Sequence, residues 1–189
     1  MKIAWAFCGS FCTLEKAMNV MEDLTYNGAD ITPIFSEKTF STNTRFGTAK
    51  HWQTYAESIT GHKVLHTITE VEPIGPKGLF DLLIVAPVTG NTLAKLAYGI
   101  TDSSVTMACK SHLRNGRPIL LAVSTNDGLS GSAANIGTLL GRKNVFFVPY
   151  RQDDPLGKPS SLVAELEKIP HILGDVMIGK QPQPILLRK

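Results

Sequence analysis

The chain has 189 residues, of which 43% are hydrophobic and 19% charged, which is typical of one globular domain or one domain with a tail. The formal net charge of +3 includes no run of five like charges, so neither nucleic acid nor an anionic membrane is indicated as a partner. No apolar stretch reaches the ~18–20 residues that span a bilayer. Three cysteines argue against a disulfide framework, and the N-terminus lacks a cleavable export signal, so a cytoplasmic location is expected.

The first strand, predicted over residues 2–8, leads into a polar turn and then a helix that ends near Asn27. Gly9 lets the backbone turn sharply or approach a ligand closely. Ser10 or Thr13 can either donate to an anion or cap the helix. The segment has neither G-x-G-x-x-G nor the P-loop pattern, so neither a Rossmann dinucleotide site nor a P-loop is indicated.

A second strand is predicted over residues 31–35, with Ser36 at its C-terminal end, where open α/β sheets bind ligands. The segment that follows, up to Gly47, is polar and aperiodic, and it fits either a solvated loop or a mobile flap. As a flap, it would pair Arg45 with a substrate carboxylate. A helix is predicted over residues 48–59, and the histidines in and after it lack the spacing of a zinc site.

The most informative stretch follows residues 70–78, which contain two prolines and two glycines and are predicted as a connecting loop. Residues 82–86 form an apolar run that Pro87 ends, as in a central parallel strand covered on both faces. In the turn at 89–92, small hydroxyl and amide side chains stand where a helix begins. The unpaired N–H groups of such a helix start can hold phosphate, and simple capping is the alternative.

The second half of the chain continues the alternation of helices and strands. The predicted elements are a helix ending at Asn115, a buried strand over 118–123, a helix over 130–141 and a last strand over 144–149. Residues 124–128 form another polar strand end.

A change in composition marks the C-terminal region. Residues 1–150 are predicted to form one α/β domain, and residues 151–189 a linker, a C-terminal helix and an extended tail that pack on it. The surface linker is predicted over 150–159, which has three prolines in or beside it, and the helix over 160–178.

Five strand-like runs that alternate with helices predict an α/β fold, a doubly wound parallel sheet in a single domain. Four polar segments follow the carboxyl ends of these strands, at the edge where such sheets bind ligands. They are Gly9 with Ser10, Ser36, Thr89 to Thr92, and Ser124 to Asp127. Their convergence favours a phosphate-bearing ligand over four independent helix caps.

Four segments also carry a family pattern: C-G-S-F-C-T-L-E-K-A at 8–17, Ser36 after the second strand, A-P-V-T-G-N-T-L-A-K-L-A-Y-G-I-T-D at 86–102 and R-P-I-L-L-A-V at 117–123. They resemble the flavoprotein family of FMN-binding decarboxylases and prenyltransferases, strongly over residues 1–150. The resemblance implies a flavodoxin-like, three-layer fold, assembled as trimers or as four trimers, with FMN at subunit contacts. The FMN-binding residues that it implies are Gly9, Ser10, Ser36, Thr89, Gly90, Asn91, Thr92 and Ser124.

Departures from the pattern separate the branches of this family. Its cysteine-peptide decarboxylases have an Asn-x-His element before the central strand and a P-x-M-N-x-x-M-W clamp after the fourth. Here residues 124–129 read S-T-N-D-G-L, and no Asn-x-His precedes Asp81. The prenyltransferases have an arginine where Ser124 stands. Compared with these two branches, the chain therefore lacks groups that the decarboxylases and the prenyltransferases each have.

Further segments are most similar to one branch, the B chains of a two-component synthase: S-T-N-T-R-F-G at 41–47, G-P-K at 75–77, L-R-N-G-R-P at 113–118 and A-V-S-T-N-D at 122–127. This resemblance implies oxidation of a dihydropyridine dicarboxylate, or its hydroxytetrahydro precursor, to the spore constituent pyridine-2,6-dicarboxylate. It also implies an NADP-linked A subunit as partner, in the mother cell of a spore-forming bacterium. The residues expected to bind a substrate carboxylate are Arg45, Asn43, Thr44 and Asn126.

Two other functions stay open from the sequence. One is an FMN-dependent decarboxylase of the same family. The other is a noncatalytic, flavin-binding scaffold for the A subunit, since a polar cluster at strand ends has the same sequence whether it supports chemistry or only binding.

Overall fold

A seven-stranded mixed sheet forms the centre of the protein, in a computed structural model that describes residues 1–188. Lys189, the last residue of the predicted tail, lies outside the described residues. The strands are β1 (Lys2–Phe7), β2 (Asp30–Phe35), β3 (Leu82–Val88), β4 (Ile119–Thr125), β5 (Val145–Phe147), β6 (Tyr150–Asp154) and β7 (Lys158–Ala164).

Helices connect and flank these strands. They are α1 (Leu14–Tyr26), α2 (Glu37–Ser41), α3 (Ala49–Thr60), α4 (Ile68–Val71), α5 (Ile74–Lys77), α6 (Gly90–Tyr98), α7 (Ser104–Leu113), α8 (Ala133–Leu140) and α9 (Ile169–Met177). Within residues 1–188, none is both long and apolar enough to cross a bilayer.

The parallel part of the sheet has the order β2-β1-β3-β4, with β5 beside the first half of β4. Every residue of β3 is buried, and so are residues 3–7 of β1. Burial on both faces is what helices on a parallel sheet produce, and it explains why these strands are continuous apolar runs. The predicted α/β fold of a single domain is confirmed, with each of the five predicted strands present.

Pro87 does not end its strand, contrary to the prediction. β3 continues to Val88, and its register with β4 shifts between Val85 and Val88. Proline lacks the N–H that a regular ladder requires, and an irregularity of this kind is where a strand tolerates it.

Two segments predicted as loops contain short helices. In the polar segment after β2, Ser36 caps α2 by accepting a hydrogen bond from the Thr39 N–H at 3.2 Å. The loop predicted over residues 70–78 contains all of α5 and the end of α4, which starts at Ile68 after a capping box formed by Thr67 and Glu70. Helices of four or five residues are too short for hydrophobic periodicity to reveal, so local capping was their only sequence signal.

The predicted linker over residues 150–159 is wrong, because this segment forms β6 and the start of β7. These strands make an antiparallel hairpin, and β7 also pairs antiparallel with the end of β4. The strand at 144–149 is therefore not the last one, and the predicted C-terminal helix begins only at Ile169. Pairing with a strand about 40 residues earlier is a tertiary interaction that local composition does not show.

Helix α5 passes so close to α7 that only glycine fits at residue 75. A Cβ there would overlap the backbone carbonyl oxygen of Ser111 and lie 3.0 Å from its carbonyl carbon. We expect Gly75→Ala to lower the free energy of unfolding by about 1–3 kcal/mol, measured by urea denaturation.

Gly174→Ala in α9 is the matched control, because a Cβ at that glycine meets no atom within 4 Å. Its expected effect is within about 1 kcal/mol and in the stabilising direction, since alanine favours the helix. Equal unfolding free energies for the two variants would contradict the close contact.

Candidate functional site

A cavity of about 810 Å³ opens at the carboxyl ends of the parallel strands, between the β1–α1 turn, the end of β4 and the β6–β7 hairpin. This position is the one that the polar strand ends predicted. Six of the predicted site residues line the cavity: Gly9, Ser10, Arg45, Thr89, Ser124 and Asn126.

Three hydroxyl groups meet on the floor of this cavity. The Ser10 and Ser124 Oγ atoms are 2.8 Å apart, although the residues are separated by 114 positions in the chain. Thr13 Oγ1 donates to Ser10 Oγ at 3.1 Å and lies 3.1 Å from Ser124 Oγ. Because a hydroxyl rotates freely and both donates and accepts, the group can turn its protons towards an anionic oxygen.

Helix α6 begins directly after Thr89, which lines the same cavity. Thr89 is the N-cap, and its side chain accepts the N–H of Thr92 at 3.3 Å. The N–H groups of Gly90 and Asn91 belong to the first turn, so they have no partner within the helix and lie at its positive end. An anion is stabilised at such a helix start.

Gly90 fixes the position of α6 against the segment after β4. A Cβ at this residue would lie 2.5 Å from Ser132 Oγ and 2.7 Å from Asp127 Oδ1. Ser132 Oγ is 3.0 Å from each carboxylate oxygen of Asp127, and Thr125 also donates to that carboxylate. The absence of a side chain at Gly90 therefore allows α6 to pack directly on a hydrogen-bonded polar cluster.

Four of the other predicted residues have bonding partners inside the protein. Ser36 caps α2, and the Thr92 hydroxyl donates to Cys8 Sγ at 3.3 Å. Asn43 Oδ1 accepts the Ala49 N–H at 2.9 Å. Thr44 Oγ1 accepts the Phe46 N–H at 3.2 Å, within the tight turn that carries Arg45. None of these four side chains lines the cavity, and neither do Gly90 and Asn91. Their predicted ligand contacts stay predictions.

The sequence analysis missed the wall of the cavity that the β6–β7 hairpin and the residues after it form. It contributes two ion pairs: Arg151 Nη1 lies 2.7 Å from Glu165 Oε1, and Lys158 Nζ lies 2.8 Å from Asp153 Oδ2. The hydrogen bond to Asp153 raises the pKa of Lys158. The sequence signal of this hairpin was the apolar run L-V-A at 162–164, which is too short to distinguish a strand from a helix.

The model of the protein family described as Flavoprotein matches residues 1–147. The chain belongs to the flavoprotein family. This flavoprotein is 41% identical over 186 residues to the dipicolinate synthase B chain of Bacillus subtilis (strain 168), covering 98% of the chain and 93% of that protein. The crystal structure of the corresponding dipicolinate synthase B chain from Bacillus halodurans C superposes with a TM-score of 0.91 at 38% identity, covering 100% of this chain and 96% of the other. The resemblance inferred from the motifs is confirmed.

Two more distant structures share the flavoprotein fold. The FMN-dependent cysteine decarboxylase SpaF has a TM-score of 0.67 at 17% identity, covering 94% of this chain and 95% of the other. DmrB from Burkholderia xenovorans, solved in complex with FMN, has a TM-score of 0.68 at 18% identity, covering 92% and 93%. At such identities the comparison concerns the fold alone.

The three cysteines of the flavoprotein differ sharply in environment. Cys8 and Cys109 are buried, while Cys12 is exposed on the cavity wall. Burial raises the pKa of the Cys8 thiol to about 11, although the hydrogen bond from Thr92 opposes this rise, and burial also raises the pKa of Cys109. Only a thiolate that reagents can reach is reactive.

We expect iodoacetamide at pH 8 to alkylate Cys12 alone in the folded protein, with Cys8 and Cys109 reacting only after denaturation. Mass spectrometry of the peptides measures the order, and Cys12→Ser should leave no alkylated site in the native protein. Alkylation of Cys8 as fast as that of Cys12 would contradict the burial of Cys8 at the end of β1.

Proposed function

We propose that this chain is the B component of a dipicolinate synthase. In this role it takes part in the oxidation of dihydrodipicolinate, or of its hydroxytetrahydro precursor, to pyridine-2,6-dicarboxylate. The observation that carries the proposal is the 41% identity to the Bacillus subtilis B chain over nearly the full length of both proteins. The cavity at the carboxyl edge of the sheet supports it, because a ligand site is found at this edge in α/β folds.

FMN is the proposed cofactor, and the donors at the cavity suit it. The hydroxyls of Ser10, Thr13 and Ser124 are neutral donors, which match a phosphate and a ribityl chain. The N–H groups of Gly90 and Asn91, which follow the lining residue Thr89, would add backbone donors. The apolar side chains of Phe11 and Leu162 line the same cavity and can pack against a flavin ring.

The proposed FMN contacts are Gly9, Ser10, Thr89, Gly90, Asn91 and Ser124. For Ser36 and Thr92 we propose a supporting role, since their hydroxyls are bonded to Thr39 and Cys8. When bound, the flavin would supply two-electron redox chemistry.

The residues of this chain would bind and orient the substrate beside that site. Arg45 lines the cavity, and its planar guanidinium can bind a carboxylate through two parallel hydrogen bonds. Asn126, also on the cavity wall, can donate to the same group. Asn43 and Thr44 would support the turn that holds Arg45, through their bonds to Ala49 and Phe46.

The proposed partner is the A subunit, which would carry NADP. Conversion of dihydrodipicolinate to the aromatic diacid removes two electrons and two protons, and the electron pair would pass to NADP. The hydroxytetrahydro form would also lose water. We further propose assembly as trimers or as four trimers, in the cytoplasm of the mother cell. A dodecameric FMN-dependent Ubix-like decarboxylase from Escherichia coli O157:H7 has the same fold, with a TM-score of 0.58.

The FMN site is tested by titrating the purified protein with FMN and following the absorption band and the fluorescence of the flavin. Ser10→Ala and Ser124→Ala should each weaken binding by about tenfold, as expected for loss of a hydrogen bond to a charged group. Ser58→Ala, which removes an exposed hydroxyl on α3 that bonds within its own helix, is the control and should bind as the parent does. Absence of binding even in excess FMN would exclude a flavin site.

The role in the synthase is tested by the activity of the A subunit with and without this chain. We expect this chain to raise the rate of dipicolinate formation by the A subunit at least about tenfold. The Ser124→Ala variant should lose most of that increase while still binding the A subunit. If a variant that no longer binds FMN still raises the activity of the A subunit fully, the noncatalytic scaffold is favoured. Release of CO2 from a cysteine-ended peptide by this chain alone would favour the decarboxylase.

A further inference from the structure

Four cationic and three carboxylate side chains line the cavity, and two of the cations are paired with two of the carboxylates. On the hairpin side, Arg151 and Lys158 are each within 2.8 Å of a carboxylate oxygen, from Glu165 and Asp153 respectively. These two cations are neutralised by Asp153 in β6 and by Glu165, which directly follows β7. Glu167, in the 3-10 helix Leu166–Lys168, has no ion-pair partner in the described part of the chain.

The other two lining cations, Lys16 and Arg45, have no acidic partner among residues 1–188. Arg45 Cζ lies 4.8 Å from the centre of the Phe46 ring, its one described contact with another side chain. Both residues are exposed, so both charges can reach a ligand in the cavity.

The position of Lys16 is unfavourable for stability, and the position of Arg45 is fixed by the backbone. Lys16 occupies the first turn of α1, where the positive end of the helix dipole disfavours a cation. Arg45 projects from a tight turn in which Thr44 and Gly47 exchange backbone hydrogen bonds of 3.0 and 3.1 Å. Gly47 holds this turn at φ 141° against the Trp52 indole. The backbone therefore carries Arg45 on a fixed turn rather than on a loose loop.

We propose that Lys16 and Arg45 form a two-point clamp that binds the two carboxylates of a small diacid across the cavity. The inference rests on the proposed function and extends it, by assigning Lys16 to the second carboxylate. Arg45 binds its carboxylate in a bidentate manner, whereas Lys16 acts as a point charge that tolerates different ring puckers. Arg151 and Lys158 are already paired with carboxylates, so they attract the diacid less than Lys16 and Arg45 do.

The clamp predicts a preference for two carboxylates over one. Calorimetric titration of the full chain with pyridine-2,6-dicarboxylate and with pyridine-2-carboxylate should show the diacid binding at least about tenfold more tightly. Lys16→Gln should weaken the diacid by about tenfold and abolish most of this preference, while leaving the monoacid, held by Arg45, almost unchanged. Arg45→Gln should weaken both ligands.

Two variants control for the change in charge. Lys143→Gln removes an exposed positive charge that does not line the cavity, and Lys158→Gln removes a lining cation that is already paired. Each should keep the preference for the diacid. A wild-type protein that binds both acids equally, or a Lys16→Gln variant that weakens both equally, would overturn the clamp.

A flavin phosphate is the other anion that Lys16 could bind, and riboflavin, which lacks it, separates the two. If Lys16→Gln weakens FMN but not riboflavin, Lys16 binds the phosphate and the clamp is wrong. If the protein binds FMN but shows no preference for the diacid, the inference fails and the flavin site stands. If it binds neither FMN nor the diacid, the proposed function fails as well.

Discussion

The hydrogen bond between the Ser10 and Ser124 hydroxyls is the contact on which the site depends. Ser10 follows β1 and Ser124 lies near the end of β4, and β3 separates these two strands. The hydroxyls can meet only above the end of β3, where the chain turns into α6. The buried, regular part of the sheet therefore determines how far apart the two sides of the cavity lie.

The parallel core and its polar edge were predictable from the sequence, because each depends on short-range signals. Continuous apolar runs such as 82–86 mark doubly covered strands, and Ser10, Thr89 and Ser124 stand where these runs end. The motifs at 8–17 and 86–102 indicated the flavoprotein family, and the family in turn indicated FMN as the ligand. Local chemistry could not distinguish a lining hydroxyl from a capping one, so Ser36 was grouped with the cavity although it caps α2.

The hairpin was not predictable, because its stability comes from pairing with β4 and not from its own sequence. Polar residues at 150–159, with prolines among them, have the composition of a linker. The ion pair of Asp153 with Lys158 connects β6 to β7, and that of Arg151 connects β6 to Glu165, directly after β7, so both exist only once the hairpin has formed. Which cations of the cavity are paired and which are not is thus a property of the tertiary structure.

Two edge strands of the sheet, β2 and β6, are partly covered by other segments of the chain. At β2, the backbone of Leu65 bonds to Pro33 and Phe35, and Pro33 offers no N–H of its own. At β6, the C-terminal segment bonds to both backbone groups of Tyr150 through Ile185 and Leu187, and the rest of the strand carries the charged residues Arg151, Asp153 and Asp154. These contacts and charges disfavour the addition of a strand from another copy at β2 and at β6, which lowers the tendency of these two edges to start fibrous aggregation.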